Sequence, residues 1–376
     1  MSNSPASASA ESLRIGVVGL GKMGLSHFAL VNAHPRTETV ICDATGYLVD
    51  TLGRYVSNTI YKDFDKMLAE GGLDAVVIAT PSRLHAPMVR KALDRGLHVF
   101  CEKPFCLDPA DSLSLAEAGE AASLVTQVGY HYRYVGAFQE MKRILASGAL
   151  GRPTHALAEA YGPVVLRPKR STWRTTKEEG GGCLYDYAAH PLNLLNWLFG
   201  RPTSVTGCVL NSIFSADTDD EVYATLGFAD GVSAQLSVNW SDESHRKMST
   251  SVTISGTNGK LFADRQECRL FLREKHPALP DYDEGWNVRY TTDLTRQSWF
   301  YLRGEEYSNQ IDDFVTASLA GDGALREVEN DFRSAAVTDE TIARILAGGD
   351  DLAAIAAARP RPAAKRGWLA RMGMGG

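Results

Sequence analysis

The stretch from Leu13 to Gly24 constrains this chain more than any other. Its first half is a short apolar run rich in β-branched residues, the composition of a buried parallel strand. Its second half places glycines at Gly19, Gly21 and Gly24, and behind them Leu25, Phe28, Ala29 and Val31 recur at roughly helical spacing. The pattern is strand, tight turn, helix. Such a turn lets a pyrophosphate approach the backbone and sit on the free amides that open the helix. A glycine pattern alone is weak, but here a second apolar strand, Thr39 to Asp43, ends in an acid about two dozen residues on, where a carboxylate can accept hydrogen bonds from ribose hydroxyls. No arginine follows Asp43 to meet a 2′-phosphate, so NAD is expected in preference to NADP.

The alternation of strand and helix continues to about residue 130. Apolar strands are expected at 75–80, 98–102 and 124–128, each followed by a helix opened by a capping residue such as Ser82 or Asp108. This predicts a doubly wound parallel sheet whose ligands bind at the carboxyl ends of its strands. The rule brings Gly19, Asp43, Thr80, Glu102 and Lys103 to one edge of a crevice. After Tyr130 the pattern changes. One helix over 138–149, a strand over 154–161, a basic irregular stretch over 166–174 and a helix from Asp186 to Phe199 precede a run of strands, with Asp230-Gly231 and Asn258-Gly259 as hairpin signals. Helices over 305–319 and 329–346 close the chain, the last expected to pack back on the first domain. The reading is α/β: residues 11–132 form a dinucleotide-binding domain, and 133–348 an α+β domain with a large, mostly antiparallel open sheet. Residues 1–10 and 349–376 are expected to be disordered tails.

Composition excludes several classes. With 376 residues, two domains are expected. A net charge of −6 gives no bulk attraction to nucleic acid. No apolar run reaches membrane-spanning length, the Ser/Ala-rich N-terminus lacks an apolar core, and six scattered cysteines read as reduced core residues of a cytoplasmic protein.

Two constellations carry chemistry. Lys103, between Glu102 and Pro104 at a strand end, can hold a substrate oxygen and stabilise alkoxide charge; an ordinary surface ion pair on a turn would read the same way. Asp186 and His190 share one face of a helix start, behind the glycines 180–182 that would let backbone approach a ligand. They suit general acid–base work, or equally a capping acid and a core histidine. No third ligand stands at suggestive spacing, so no metal site is expected.

Together these motifs, with Ala79-Thr80-Pro81, His85, Trp173-Arg174 and the 255–259 turn, resemble the Gfo/Idh/MocA oxidoreductases, over about 13–346. The resemblance implies an NAD(P) Rossmann domain followed by an open-sheet domain. It implies cofactor contacts from Gly19, Leu20, Gly21, Lys22, Met23, Gly24, Asp43, Thr80, Pro81, His85, Glu102 and Lys103, and catalysis by Lys103, Asp186 and His190. One departure is visible: Asn193 stands where the family often has an acid. The expected function is hydride transfer between nicotinamide and a secondary hydroxyl or ketone of a sugar, cyclitol or nucleotide sugar. A non-redox enzyme using tightly bound NAD for transient oxidation, such as glycoside cleavage, and a non-catalytic dinucleotide-binding protein stay open. Arg133, Tyr161, Arg167, Arg170, Trp173 and Arg174 are expected beside Lys103, Asp186 and His190 on the substrate side. The basic run suggests an anionic substrate. An uncovered sheet face predicts a homodimer or homotetramer.

Overall fold

A computed structural model describes residues 12–166, 173–320 and 328–351. Strands β1 (Leu13–Val18), β2 (Thr37–Cys42), β3 (Ile60–Tyr61), β4 (Ala75–Ile78), β5 (His98–Cys101) and β6 (Thr126–Val128) form one parallel sheet in the order β3-β2-β1-β4-β5-β6. The order reverses between β1 and β4, the switch point at whose strand carboxyl ends ligands of such sheets bind. Helices α1 (Lys22–Ala33), α2 (Gly46–Leu52), α3 (Phe64–Glu70), α4 (His85–Leu93) and α5 (Pro109–Ala121) make the connections. The side chains of Asp63 and Asp108 cap α3 and α5, but Ser82 does not cap α4: it opens a 3-10 turn over Ser82–Leu84, and α4 starts at His85 with no side-chain cap. No periodic signal announced the short α2.

The second sheet has eight strands: β7 (Pro153–Tyr161), β8 (Ser204–Asn211), β9 (Glu221–Gly227), β10 (Ser233–Asn239), β11 (Ser249–Gly256), β12 (Gly259–Ala263), β13 (Glu267–Leu272) and β14 (Gly285–Tyr290). All its pairs are antiparallel except β7 with β10. Helix α6 (Gly136–Ala146) leads into it, and α7 (Ala189–Phe199) lies across one face, over the buried Ala156, Ala158 and Ala160 of β7. Three small residues in a row along that face let the helix approach the strand closely. A single turn, α8 (Thr291–Leu294), follows β14.

The last two helices return to the first sheet. Helix α9 (Glu305–Ser318) sets Ile311, Phe314 and Val315 against Ile15, Val17, Phe28 and Val31, so it covers one face together with α1. Helix α10 (Phe332–Leu346) packs between α5 and α7, and its Asp339 accepts hydrogen bonds from the Cys106 amide (2.9 Å) and the Ser112 hydroxyl (2.6 Å). The return of α10 follows the sequence reading; that of α9 does not, because an amphipathic stripe does not say which sheet it faces. The expected disordered stretches 1–10 and 352–376 lie outside the described residues. Residues 349–351 are no tail: the Asp350 carboxylate accepts the Val205 amide (2.8 Å) and pairs with Arg344. Among the described residues no helix is long and apolar enough to cross a membrane.

Candidate active site

The dinucleotide end is built from backbone. Gly19 has φ +85°, and a Cβ there would lie 2.8 Å from the Ala79 carbonyl. A Cβ on Gly24 would stand 1.6 Å from the Gly19 carbonyl oxygen. Both glycines are therefore required by the approach of α1 to the strands. Gly21 differs: a Cβ there would meet nothing within 4 Å, so the turn leaves an open cradle in front of an α1 N-terminus that no side chain caps. That cradle fits the pyrophosphate of NAD, with the amides of Lys22, Met23 and Gly24 facing it. The Asp43 carboxylate accepts the Leu20 amide (2.5 Å) and the Thr45 amide (2.6 Å), which fixes it at the end of β2. An ionised carboxylate has further lone pairs for ribose hydroxyls.

Thr80 and Pro81 follow β4 at the same edge. His85 does not face the cradle. It is buried, with Nε2 2.9 Å from the Thr80 carbonyl and Nδ1 2.9 Å from that of Pro104, and so ties the loop after β4 to the loop after β5. Burial pushes its pKa down. Glu102 is held by a residue the sequence reading missed: His27 of α1, 1% exposed, places Nε2 2.6 Å from Glu102 Oε1. The other carboxylate oxygen accepts the Lys103 amide at 3.1 Å. Burial alone would raise the Glu102 carboxyl; His27 and the nearby Lys103 charge outweigh it and hold the pKa below its ordinary value. The signal for His27 was its position three residues after Gly24, on the α1 face that meets β5.

The chemistry of the other wall gathers around Asp186. Lys103 Nζ donates to the Asp186 carbonyl oxygen (2.9 Å) and to its carboxylate Oδ1 (3.0 Å), and Arg174 Nε donates to Oδ2 (2.7 Å). Burial opposes ionisation of Asp186, but the two cations override it and keep the pKa below the usual carboxylate range. Asp186 does not begin an ordinary helix. Residues Leu184–Ala188 form a π turn that runs into α7, with His190 in the first turn beyond it. Such turns recur at functional sites. Asp219 anchors this one, its carboxylate accepting the Leu184 amide (2.7 Å) and its carbonyl the Cys183 amide (2.8 Å). The triglycine serves this packing and not a ligand. A Cβ on Gly182 would be 2.3 Å from Asp219 Oδ1, and one on Gly181 would crowd three carbonyls of residues 173–176. Asp219 also went unnoticed in the sequence, because it sits in a polar loop more than thirty residues from the turn it holds.

His190 is 4% exposed, and its Nδ1 is buried without a partner among the described residues. Three rings surround it: Tyr130, His131 and Tyr132, with centroids 6.1, 5.2 and 5.1 Å away. Burial, then the charges of Lys103 and Arg265, push its pKa well below that of a free histidine, so the ring is neutral at neutral pH. Asp186 and His190 are thus both present, with Lys103, in one buried cluster.

Several expected substrate residues go elsewhere. Tyr161 lies on the face of β7 opposite the buried alanines, bonded to Glu159 (3.0 Å) and Ser237 (2.8 Å), because side chains alternate along a strand. Arg133 is buried behind the crevice, its Nε donating to Asn193 Oδ1 at 2.9 Å. Asn193, where the resembled family often carries an acid, joins that arginine to Thr338 of α10 (3.2 Å). Trp173 stacks with Arg174, 4.7 Å from the guanidinium to the ring centroid. Arg167 and Arg170 lie outside the described residues. No group of three or more metal-ligating side chains occurs among the described residues.

Residues 13–130 match the family described as "Oxidoreductase family, NAD-binding Rossmann fold", and residues 138–262 match the "GFO/IDH/MocA C-terminal domain". The chain is 27% identical over 270 residues to a 2,7-anhydro-N-acetylneuraminate hydratase of Escherichia coli, covering 69% of this chain and 70% of the relative. It is 26% identical over 293 residues to a scyllo-inositol 2-dehydrogenase (NAD(+)) of Bacillus subtilis, covering 75% and 84%. Its fold superposes on a levoglucosan dehydrogenase solved with NADH and levoglucosan, with a TM-score of 0.78 at 23% identity, over 90% of this chain and 98% of that one.

Proposed function

The chain belongs to the GFO/IDH/MocA oxidoreductases, with an NAD-binding Rossmann domain, and from that premise we propose that it oxidises a secondary hydroxyl of a sugar or cyclitol, or reduces the corresponding ketone, through Lys103, Asp186 and His190. The observation that carries this reading is the Lys103–Asp186 contact within electrostatic reach of a neutral, buried His190. Bound NAD supplies the hydride acceptor, a capacity no side chain has. Lys103 Nζ binds the substrate oxygen and stabilises the negative charge that grows on it. His190 accepts the hydroxyl proton at Nε2, the ring nitrogen opposite the buried Nδ1. Asp186 holds Lys103 in place, and Arg174 fixes the second carboxylate oxygen, so the Asp186 side chain cannot rotate away. Asp43 favours NAD over NADP by presenting a charge where a ribose phosphate would stand.

The test is NADH formation on mixing the protein with NAD and a panel of sugars and cyclitols. A substrate that reduces NAD in wild-type protein and not in His190→Ala supports the reading; turnover that survives loss of His190 overturns the assignment. The relative named as a hydratase favours a second reading, in which NAD is reduced and reoxidised within one cycle. Consumption of substrate without NADH release in a single turnover would select it.

The open face of the second sheet presents Trp286, Val288 and Tyr290 of β14 at 62, 42 and 55% exposure. We assign this face to contact between copies in a homodimer or homotetramer, which light scattering at micromolar concentration tests. All six cysteines are free and five are buried, which suits the cytoplasm.

A further inference from the structure

The wall of aromatic rings around His190 ends in two arginines that the catalytic reading does not use. Tyr132, beside His190, has the Arg265 guanidinium 6.0 Å from its ring centroid. His131 stacks on Tyr307 at 4.4 Å, and the Arg303 guanidinium stands 5.5 Å above the Tyr307 ring. Arg265 lies in the turn between β12 and β13, and Arg303 stands one residue ahead of Gly304, the N-cap of α9, so two distant segments deliver them to one region. Both charges are felt at His131, together with that of Lys103, which puts the pair within electrostatic reach of the catalytic cluster.

The two arginines are not equivalent. Arg265 is paired with Glu306, whose side chain is 8% exposed. Arg303 is exposed, and no carboxylate pairs with it among the described residues. Its backbone is also unusual: φ is +68°, the left-handed region that a residue with a Cβ seldom adopts, and Gly304 follows at φ +140°. The guanidinium stands over the Tyr307 ring, where stacking leaves its donors free at the edges. Beside His190, Lys103 and Arg174 share the Asp186 carboxylate, and the buried Glu102 carboxylate also feels the Lys103 charge, so these two cations are already balanced by two acids. Arg303 is therefore the cation on the His131 side of His190 that has no ion pair among the described residues, and the Tyr307 and His131 rings separate it from the reacting centre. Glu306 pairs with Arg265 and also feels the Arg303 charge, so this wall offers one guanidinium without an ion pair among the described residues, whose planar fork matches a carboxylate.

We propose that Arg303, buttressed by Tyr307 and by the Arg265–Glu306 pair, forms a subsite for a carboxylate carried by the sugar, so that the substrate is a uronate-type acid and not a neutral sugar. The proposal rests on the catalytic reading above for the orientation of the substrate, and it moves the anion contact from the 166–174 stretch, where Arg174 is engaged by Asp186, to the opposite wall. A guanidinium that meets a carboxylate bidentately discriminates by about tenfold or more against a neutral group.

The experiment is a calorimetric titration of the full-length, NADH-loaded protein with D-glucuronate and D-galacturonate, against D-glucose, D-galactose and D-glucose 6-phosphate. The expected result is binding of at least one uronate about tenfold tighter than its neutral counterpart and tighter than the phosphate, with the preference removed in Arg303→Ala and partly restored in Arg303→Lys. Arg303 is on the surface, so the variants should keep the wild-type thermal midpoint and NADH affinity; these are measured alongside. Equal binding of acid and neutral sugar, a preference for the phosphate, or a uronate preference that survives Arg303→Ala each overturns the subsite. Arg303-dependent uronate binding without NAD reduction by that uronate would leave the subsite standing and remove the catalytic reading, so the two fail separately.

Discussion

The two ends of the crevice solve recognition by different means. The dinucleotide end is backbone: three glycines, the amides that open α1, and one carboxylate tied to its own turn. The substrate end, as proposed, is side chain throughout, drawn from the loop after β5, the π turn before α7, the turn after β6, the turn before β13 and the segment before α9. Backbone recognition needs only a short local stretch with the right conformation, so it survives large changes in the rest of a chain. Side-chain recognition needs segments far apart in sequence to arrive together, so it can differ between relatives that share the fold. The contrast accords with relatives of this chain that carry names as different as a hydratase and an inositol dehydrogenase.

The sharpest way to break this division is to show that the ends are not separable. Lys103→Met and His190→Ala should each lower kcat by about 10²–10⁴-fold, with the NAD dissociation constant within about threefold of wild type. Steady-state rates with calorimetric NAD binding measure both, and equal losses in the two would erase the distinction. The depressed pKa of His190 adds a pH signature: the acid limb of kcat/KM should lie below the range of a free histidine, since the neutral base persists to lower pH.

Next in size is a residue that joins the last helix to the first domain. Asp339 of α10 accepts the Cys106 amide just beyond Lys103, and burial raises its pKa to about 7. The folded protein therefore holds a proton on Asp339 through a pH window in which the unfolded chain has released it. Stability must fall as pH rises from about 4 to about 7, by up to roughly 2 kcal/mol between pH 5 and 7. Asp339→Asn should flatten that slope in denaturant titrations at several pH values; an unchanged slope would mean that the carboxyl is already ionised at pH 5.

Smaller effects sharpen the backbone end. Gly21→Ala should leave the thermal midpoint unmoved, because its Cβ enters open space, yet weaken NAD binding by about tenfold if the pyrophosphate fills that space. Gly24→Ala is the control that should cost about 1–3 kcal/mol of stability, since its Cβ collides with the Gly19 carbonyl. Smallest is Asp43→Ala, which should shrink the preference for NAD over NADP several-fold. Full retention of the preference in a competition titration would place the discriminating residue elsewhere.

Sequence alone determined whatever depends on local periodicity and on residue types that permit few conformations. The glycine turn with its strand and helix, the cap at Asp108, the parallel sense of the first sheet and the mostly antiparallel second sheet all follow from patterns a few residues long. Lys103, Asp186 and His190 were legible as candidates, since a strand end and a helix start place them without reference to the rest. Which face a side chain takes, and what meets it there, were decided by tertiary structure. Tyr161 and Arg133 looked like site residues, but a strand's alternation turned one to the open face, and a short turn sent the other behind the crevice to Asn193. His27 and Asp219 looked ordinary, yet one holds Glu102 and the other anchors the π turn. The triglycine read as room for a ligand and proved to be room for Asp219 and a neighbouring loop. The physical reason is the same in each case. A propensity belongs to a residue and its near neighbours, whereas a contact energy exists only between groups that the whole chain has brought within a few ångströms.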